Sequence, residues 1–295
     1  MVFRSASPVG PLPNFLLIGA MKAGTTSLYH YLRSHPQVFM PSFKAPEFFA
    51  GKAHTKRGID WYRNQFAGAG AEAVAIGEAS NVYTKFPHYP GVPERIAEQI
   101  PDVKLLYIVR DPVERIRSHY QTRVAEGAEK ASFGSAVLEN PIYLDYSRYW
   151  LQIEQYLACF SDEQLLVTTA EQLRHDRASL LRRVYTFLGV DADFVPPDID
   201  REFYRTQEKP VRSVVPLQVR KSLKRHFPST KRLKELEANT VRQLDRLRGR
   251  SGVERPAAAF VVTDEVRAAI GSALVEDVKQ LRRVLGPDFD GWGIA

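Results

Sequence analysis

The sequence predicts an α/β fold in which helices cover both faces of a parallel, doubly wound sheet of about five strands. Three observations indicate it. Short apolar runs that suit buried strands alternate with helical patterns from residue 15 to residue 188. The first run ends in a loop of small residues that leads directly into a helix, and the C-terminal part of the chain has a helical pattern. We expect one domain over residues 1–295, with residues 1–13 as a flexible tail.

The predicted elements follow one another in a regular order. Apolar runs predict strands at residues 15–18, 38–40, 74–76, 103–109 and 165–168. Amphipathic patterns predict helices at residues 25–34, 58–66, 93–99, 113–124, 146–160 and 179–188, then a basic helical region after residue 217 and a last helix capped by Thr263. Residues 125–141 are polar with two glycines and predict a loop, and residues 191–215 carry prolines and charges that predict a lid.

Composition and charge restrict the classes of protein to which this chain can belong. The chain has 295 residues, a net charge of +7 and one cysteine. The positive charge favours anionic partners, and a single cysteine excludes an intrachain disulfide. Residues 1–14 lack the apolar run of a signal peptide, and no stretch approaches the ~18 apolar residues of a membrane span. We therefore expect a cytoplasmic protein without a transmembrane segment.

The loop from Gly19 to Gly24 is predicted to bind phosphate. Backbone N–H groups of such a loop and of the helix N-terminus that follows point at one place and favour an anion there. Lys22 adds a positive charge inside the loop. Hydroxyl donors follow at Thr25, Thr26 and Ser27. A plain strand-to-helix turn that binds nothing is the alternative, and it rarely combines these groups.

The spacing of Gly19 and Gly24 matches the Walker A loop of nucleotide-hydrolysing enzymes, but the lysine is displaced. Thr25 stands where that loop has its lysine, and Lys22 lies two residues before the second glycine. A lysine over the mouth of the loop suits a single 5′-phosphate and its bridging atoms better than β- and γ-phosphates beside magnesium. The pattern therefore indicates a P-loop-like fold and requires no metal.

Two further strand ends carry polar residues. Residues 77–81 follow the third apolar run, and Arg110 follows the fourth. In open parallel sheets, ligands bind in the crevice at the carboxyl ends of the strands. We therefore expect the Gly19–Gly24 loop, residues 77–81 and Arg110 to meet at one edge of the sheet.

The sequence resembles the sulfotransferases that use 3′-phosphoadenosine 5′-phosphosulfate, especially the bacterial and heparan-sulfate-type branch. The matching stretches occur in order over almost the whole chain, at residues 18–28, 44–49, 77–80, 110–120, 187–190 and 285–292. The resemblance implies that this nucleotide is the donor and that adenosine 3′,5′-bisphosphate is the product. It also implies an acceptor hydroxyl or amine on a carbohydrate or small molecule, with in-line displacement at sulfur and no metal.

The resemblance also implies which residues hold the donor. By this resemblance, the 5′-phosphosulfate is bound by the first loop and the first turn of the helix, which are Lys22, Ala23, Gly24, Thr25, Thr26 and Ser27. The 3′-phosphate is bound by Arg110 and by Ser118, which lies about two helical turns later. Arg212 resembles a late basic residue that closes over the same phosphate. The alternative for Arg110 is an ordinary ion pair with Asp111 or Glu114, and for Arg212 it is a solvated position.

Two departures from the family concern the catalytic base. Many members have a glutamate, their catalytic base, at the position of Ala45 and often a histidine at Glu47, and some have a catalytic lysine at Ala79. We therefore predict Glu47 as the base, because it lies on a proline-stiffened loop beside apolar rings. Glu78 is the alternative, and a role in holding Lys22 or the loop backbone fits it equally well. Lys22 is predicted to stabilise the leaving oxygen.

The residues alone do not exclude two other classes of function. One is a nucleotide kinase with an altered phosphate loop, against which the displaced lysine argues. The other is a non-catalytic anion or polysaccharide binder that docks through the basic run at residues 220–234, although such a run is usually a solvated helix face. We expect no nucleic-acid partner. The acceptor and the oligomeric state are not determined by the sequence.

Overall fold

The computed structural model describes residues 10–51, 55–201 and 261–295. Three of the predictions fall outside these ranges. They are the contact of Arg212, the basic run at residues 220–234, and the predicted lid beyond residue 201. Residues 10–13, the end of the predicted tail, are packed: Gly10 is buried, and its carbonyl accepts a hydrogen bond of 2.8 Å from Arg63 Nε.

The sheet has five parallel strands, as predicted. Their bounds are β1 Phe15–Gly19, β2 Val38–Phe39, β3 Ala75–Ala79, β4 Lys104–Val109 and β5 Leu165–Thr169. The spatial order is β2-β3-β1-β4-β5, and every neighbouring pair is parallel. Strand β1 is therefore central, and the carboxyl ends of β3 and β4 lie on either side of the loop that follows it.

Within the described residues, the predicted helices are present to within a few residues of their bounds, whereas the helices at residues 133–139, 142–145 and 170–175 were not predicted. The described helices are α1 Thr25–Ser34, α2 Ile59–Asn64, α3 Val92–Gln99, α4 Pro112–Ala125, α5 Phe133–Glu139, α6 Ile142–Asp145, α7 Tyr149–Leu157, α8 Ala170–His175, α9 Arg177–Leu188, α10 Asp264–Gln280 and α11 Arg282–Leu285. Thr263 caps α10 as predicted, since its side chain accepts from the Val266 N–H. Among the described residues, no helix is long and apolar enough to cross a membrane.

The predicted loop at residues 125–141 is wrong in part, because it contains helix α5. Ser132 caps that helix by accepting from the Ser135 N–H. Phe133 and Val137 are buried in one apolar cluster with Ile270 of α10. Gly134 does not break α5, because it allows close packing: a Cβ there would lie 3.2 Å from Val266. Tertiary packing thus overrides the local signal of glycine and polar residues.

Strand β3 is longer than predicted, and this changes the position of Glu78. The strand continues past Ile76 because Gly77 pairs with Phe15 of β1, and a Cβ on Gly77 would lie 2.4 Å from the Phe15 ring. Glu78 is therefore a strand residue, paired with Leu16 and only 1% exposed. The sequence had placed it in the polar stretch after the strand.

Successive residues of β1 enter different apolar layers, as expected for a sheet covered on both faces. Leu16 and Ile18 belong to a cluster with α3 and α7, whereas Phe15 and Leu17 belong to one with α1 and α9. A third cluster joins α4, α5 and α10. The loop after β1 thus projects from a strand that is buried on both faces.

Candidate active site

The loop between β1 and α1 presents backbone donors, and neither the loop nor the first turn of α1 contains an acidic residue. Gly24 precedes the helix with φ 99°, in the left-handed region that favours glycine. The first intrahelical bond runs from the Leu28 N–H to the Gly24 carbonyl, at 3.1 Å. Among the described residues no side chain caps α1, and its first turn holds no acidic residue. The N–H groups of residues 25–27 therefore keep the donor capacity of a helix N-terminus.

Arg110 reaches this loop from the end of β4. Its Nη1 donates to the Lys22 carbonyl at 3.2 Å, and its Nη2 lies 3.3 Å from Glu114 Oε2. The Tyr149 hydroxyl donates to the Arg110 carbonyl at 2.7 Å and fixes the strand end. The ion pair with Glu114 that the sequence offered as an alternative is thus present, and the same guanidinium also contacts the loop.

Ser118 lies on α4, which begins beside Arg110. Asp111 caps that helix: its Oδ1 accepts from the N–H groups of Val113 and Glu114, at 2.7 and 3.2 Å. Burial raises the pKa of Asp111, and these two hydrogen bonds partly oppose the rise. Ser118 follows Glu114 by four residues, so the two share a helix face, and it is 5% exposed.

Residues 44–50, here called the Glu47 loop, approach the first loop from the other side. Lys44 Nζ donates to Thr26 Oγ1 at 2.6 Å, so the two loops are joined. Ala45 and Glu47 have φ angles of 61° and 56°, which are uncommon for residues other than glycine. The sequence analysis missed the role of Lys44, although a lysine at the start of a stretch shared with the family was a usable signal.

The Glu47 loop rests on side chains from β3 and the segment after it. The Glu47 N–H donates to Ser80 Oγ at 3.0 Å, and Ser80 Oγ donates to Glu78 Oε2 at 2.6 Å. The Phe49 N–H donates to the Tyr83 hydroxyl at 3.3 Å, and that hydroxyl donates to Glu78 Oε1 at 2.7 Å. Tyr62 adds a third hydroxyl bond to Glu78 Oε1, at 3.3 Å.

Burial dominates the electrostatics of Glu78. It raises the pKa of this carboxyl to about 7, and the hydrogen bonds from Ser80, Tyr83 and Tyr62 oppose the rise. The negative charge of Glu47 raises the pKa of Glu78 further. Glu47 itself is only half-buried. The structure therefore separates the two candidate bases into a buried carboxyl and an accessible one.

Near these loops, the side chains of Lys85 and His119 both contact the ring of Tyr146. Lys85 Nζ lies 5.3 Å from the centroid of that ring, and the His119 ring stacks on it at 5.9 Å. Burial lowers the pKa of Lys85, and the Glu47 charge opposes this. Burial and the charge of Arg115 lower the pKa of His119 to about 2, so its ring is neutral. No spacing rule marked either residue in the sequence.

The family comparison covers most of the chain. A family model described as the sulfotransferase domain matches residues 12–237. The heparan sulfate N-deacetylase/N-sulfotransferase 4 of Mus musculus, a bifunctional protein, is 34% identical over 199 residues, covering 61% of this chain and 22% of that protein. The heparan sulfate glucosamine 3-O-sulfotransferase 3B1 of Mus musculus is 31% identical over 216 residues, covering 70% of this chain and 53% of that protein. The chain thus spans about half, or less, of the length of these relatives.

A solved structure extends the likeness to the fold. The sulfotransferase from Alicyclobacillus acidocaldarius superposes with a TM-score of 0.67 at 25% identity, over 96% of this chain and 99% of that one. With its family model, its sequence relatives and its fold in agreement, the chain belongs to the sulfotransferase domain family.

Proposed function

We propose that this protein transfers the sulfuryl group of 3′-phosphoadenosine 5′-phosphosulfate, the donor of its family, to a hydroxyl or amine of an acceptor. One observation carries the proposal. The carboxylate-free loop after β1 and the guanidinium of Arg110 are joined at one edge of the sheet, through the 3.2 Å bond to the Lys22 carbonyl. A nucleotide with phosphates at two positions suits two anion sites that lie side by side.

The residues present fit such a donor. We assign its 5′-phosphosulfate to the loop N–H groups, to Lys22, and to the hydroxyls of the first turn of α1. We assign its 3′-phosphate to Arg110 and Ser118. Arg110 is 18% exposed in its side chain and already pairs with a carboxylate, so its donors are oriented towards an oxygen anion. Arg212, outside the described residues, stays a prediction.

The chain contributes charge stabilisation and proton removal to the reaction. The bound donor would supply an activated sulfuryl group whose departure leaves negative charge on a phosphate oxygen. Lys22 and the loop N–H groups stabilise that charge, because they are fixed in place before the reaction. Glu47 removes the acceptor proton, because it is the accessible one of the two carboxyl groups and the Glu47 loop is tied to Thr26 through Lys44.

The acceptor is proposed only as a class. Two relatives carry names that state heparan sulfate as their substrate. On that likeness we propose a carbohydrate, with a small hydroxyl or amine compound as the second candidate. The cytoplasmic location and the domain bounds of 1–295 stay predictions from the sequence.

A thermal-shift measurement in the presence of a chelator tests donor binding. Adenosine 3′,5′-bisphosphate at about a hundred times its Kd should stabilise the fold by about 2.7 kcal/mol, which raises Tm by a few degrees. Adenosine 5′-monophosphate, which lacks the 3′-phosphate, is the matched control and should shift Tm less. A shift produced only by ATP with magnesium would favour the kinase alternative instead. Binding of the bisphosphate without transfer from labelled donor to any acceptor in a broad panel would favour the non-catalytic binder.

A further inference from the structure

We propose that Glu78 is a positioning residue: its carboxylate fixes, through two hydroxyl groups, the backbone of the Glu47 loop. The inference rests on the proposed function in one respect only, the role of Glu47 as the base. The network itself is a property of the protein without donor or acceptor. It connects the end of β3 to two backbone amides of the loop.

The chemistry of a carboxylate gives the network a direction. Above its pKa of about 7, the Glu78 carboxyl is ionised, so it accepts hydrogen bonds and donates none. The hydroxyl protons of Ser80 and Tyr83 therefore point at Glu78, at 2.6 and 2.7 Å. Each hydroxyl oxygen then turns its lone pairs away from Glu78, towards the loop. Those lone pairs accept the N–H groups of Glu47 and Phe49, at 3.0 and 3.3 Å.

The Glu47 loop needs such support because its own backbone supplies little. Its only regular element is the three-residue turn Phe48–Ala50, closed by a bond of 3.1 Å from the Ala50 N–H to the Glu47 carbonyl. Two of its residues, Ala45 and Glu47, have left-handed φ angles that side chains disfavour. Such a conformation persists only where surrounding contacts determine it. The two amide bonds to Ser80 and Tyr83 are contacts of this kind.

Glu78 cannot act on the acceptor directly in this structure. It is 1% exposed, and both of its oxygens accept hydroxyl protons. Any effect of Glu78 on turnover should therefore pass through the loop. The residue that sequence reasoning offered as an alternative base is better explained as the support of the other candidate.

Amide hydrogen exchange on the full chain, without donor or acceptor, tests the network. In Glu78→Gln, one of the two carboxylate oxygens is replaced by an NH2 group, which cannot accept a hydrogen bond from the hydroxyl that faces it. We expect exchange at the amides of Glu47 and Phe49 to accelerate about fivefold or more. Ser80→Ala should accelerate mainly Glu47, and Tyr83→Phe mainly Phe49. These two variants keep the test valid if Glu78→Gln folds poorly.

Tyr62→Phe is the matched control. The Tyr62 hydroxyl donates to Glu78 Oε1 at 3.3 Å, and the Tyr62 ring stacks on the Phe48 ring with 4.5 Å between the ring centroids. Phenylalanine keeps the ring and removes only the hydroxyl bond, which runs to Glu78 and not to a loop amide. Exchange at Glu47 and Phe49 should stay near the wild-type rate. Unchanged exchange in Glu78→Gln, Ser80→Ala and Tyr83→Phe alike would overturn the proposal.

Kinetics then separate positioning from a direct role. Glu78→Gln should lower kcat by about tenfold, less than removal of the base, with the Kd of adenosine 3′,5′-bisphosphate unchanged. A loss as large as that of Glu47→Gln, with normal amide exchange, would make Glu78 a catalytic residue and overturn the inference. Absence of sulfuryl transfer in the wild type would instead contradict the proposed function and leave the exchange result to decide on the network.

Discussion

The two loops of the candidate site are held in different ways. The loop after β1 is shaped mainly by residues close to it in the chain: a buried strand precedes it, Gly24 supplies the left-handed turn, and α1 supplies the N–H donors, while the end of β4 adds the bond from Arg110 to the Lys22 carbonyl. The Glu47 loop takes its shape from Glu78, Ser80 and Tyr83, which lie more than 30 residues later in the chain. The loop proposed to bind the donor is therefore encoded mainly by nearby residues, whereas the placement of Glu47, the proposed base, depends on a tertiary network.

Glu47→Gln should produce the largest effect, because it removes the proposed base and keeps the side-chain shape. We expect turnover to fall by about 10²–10⁴-fold, the usual contribution of general base catalysis. The Kd of adenosine 3′,5′-bisphosphate should not change, since the donor lies on the other loop. Steady-state kinetics with an established acceptor and calorimetry with the bisphosphate measure the two quantities.

Glu72→Gln is the control for that experiment, because Glu72 is an exposed carboxylate outside the site. Near-normal turnover in Glu47→Gln would remove Glu47 from the mechanism and leave the base unassigned.

Lys22→Met tests the locally encoded loop. We expect turnover to fall by about 10²–10³-fold, as when one preorganised donor to a developing oxyanion is lost. The exchange rates of the Glu47 and Phe49 amides should stay unchanged, because the network from β3 does not include Lys22. Lys56→Met, at an exposed lysine, is the matched control. A change in the Glu47 loop of Lys22→Met would mean that Lys22 also helps to hold that loop.

The pH dependence of stability tests the buried end of the network. The pKa of Glu78 is raised from its usual 4.5 to about 7, so between these values the folded protein holds a proton that the unfolded chain has released. Unfolding therefore releases a proton there, and stability should fall as pH rises from about 4.5 to about 7, by on the order of 3 kcal/mol from this group. Glu78→Gln should flatten that part of the profile.

Denaturant unfolding at a series of pH values measures this difference. Burial also raises the pKa of Asp277, to about 6, so a pH slope from that carboxyl should remain in the variant. A wild-type profile that matches the Glu78→Gln profile in slope would show that Glu78 titrates normally.

Arg110→Ala should have the smallest of these effects. The loss of affinity should depend on whether the nucleotide carries a 3′-phosphate. We expect the loss of charge-assisted bonds worth about 1.5–3 kcal/mol to weaken adenosine 3′,5′-bisphosphate by about 10- to 100-fold. Adenosine 5′-monophosphate should bind nearly as before. Ser118→Ala should weaken the bisphosphate by a smaller factor. Equal losses for both nucleotides would indicate that Arg110 serves mainly to hold the Lys22 carbonyl.

Some of the site could be predicted because its signals are short in range. The Gly19–Gly24 loop and the Arg110–Ser118 pair each lie within one strand-to-helix connection, where spacing fixes which side chains share a face. Of the three segments predicted to meet at this edge of the sheet, the first loop and Arg110 are in contact, through the bond from Arg110 to the Lys22 carbonyl. The bond from Lys44 to Thr26 crosses between connections, and so did not follow from spacing.

The errors have a common physical cause. Helix α5 forms where glycine and polar residues indicated a loop, because Phe133 and Val137 are buried against α10 from the far end of the chain. Strand β3 continues through Gly77 because the Phe15 ring occupies the space that a side chain would need. Local propensity is weak compared with such packing, so its signal fails where distant residues meet.

The sequence by itself determined the parallel sheet, the position of the loop proposed to bind the donor, and the family to which the chain belongs. The sheet and the loop follow from apolar runs, glycine positions and helix N-termini, whose physics acts over a few neighbouring residues, and the family follows from the resemblance of its motifs. Only the tertiary structure decided which of two glutamates is buried and which is accessible. That difference depends on the pairing of Glu78 with Leu16 and on its hydroxyl partners Ser80 and Tyr83. Burial is a property of the packed chain, so the pKa of Glu78 and the support of the Glu47 loop arise only when β3 is in place.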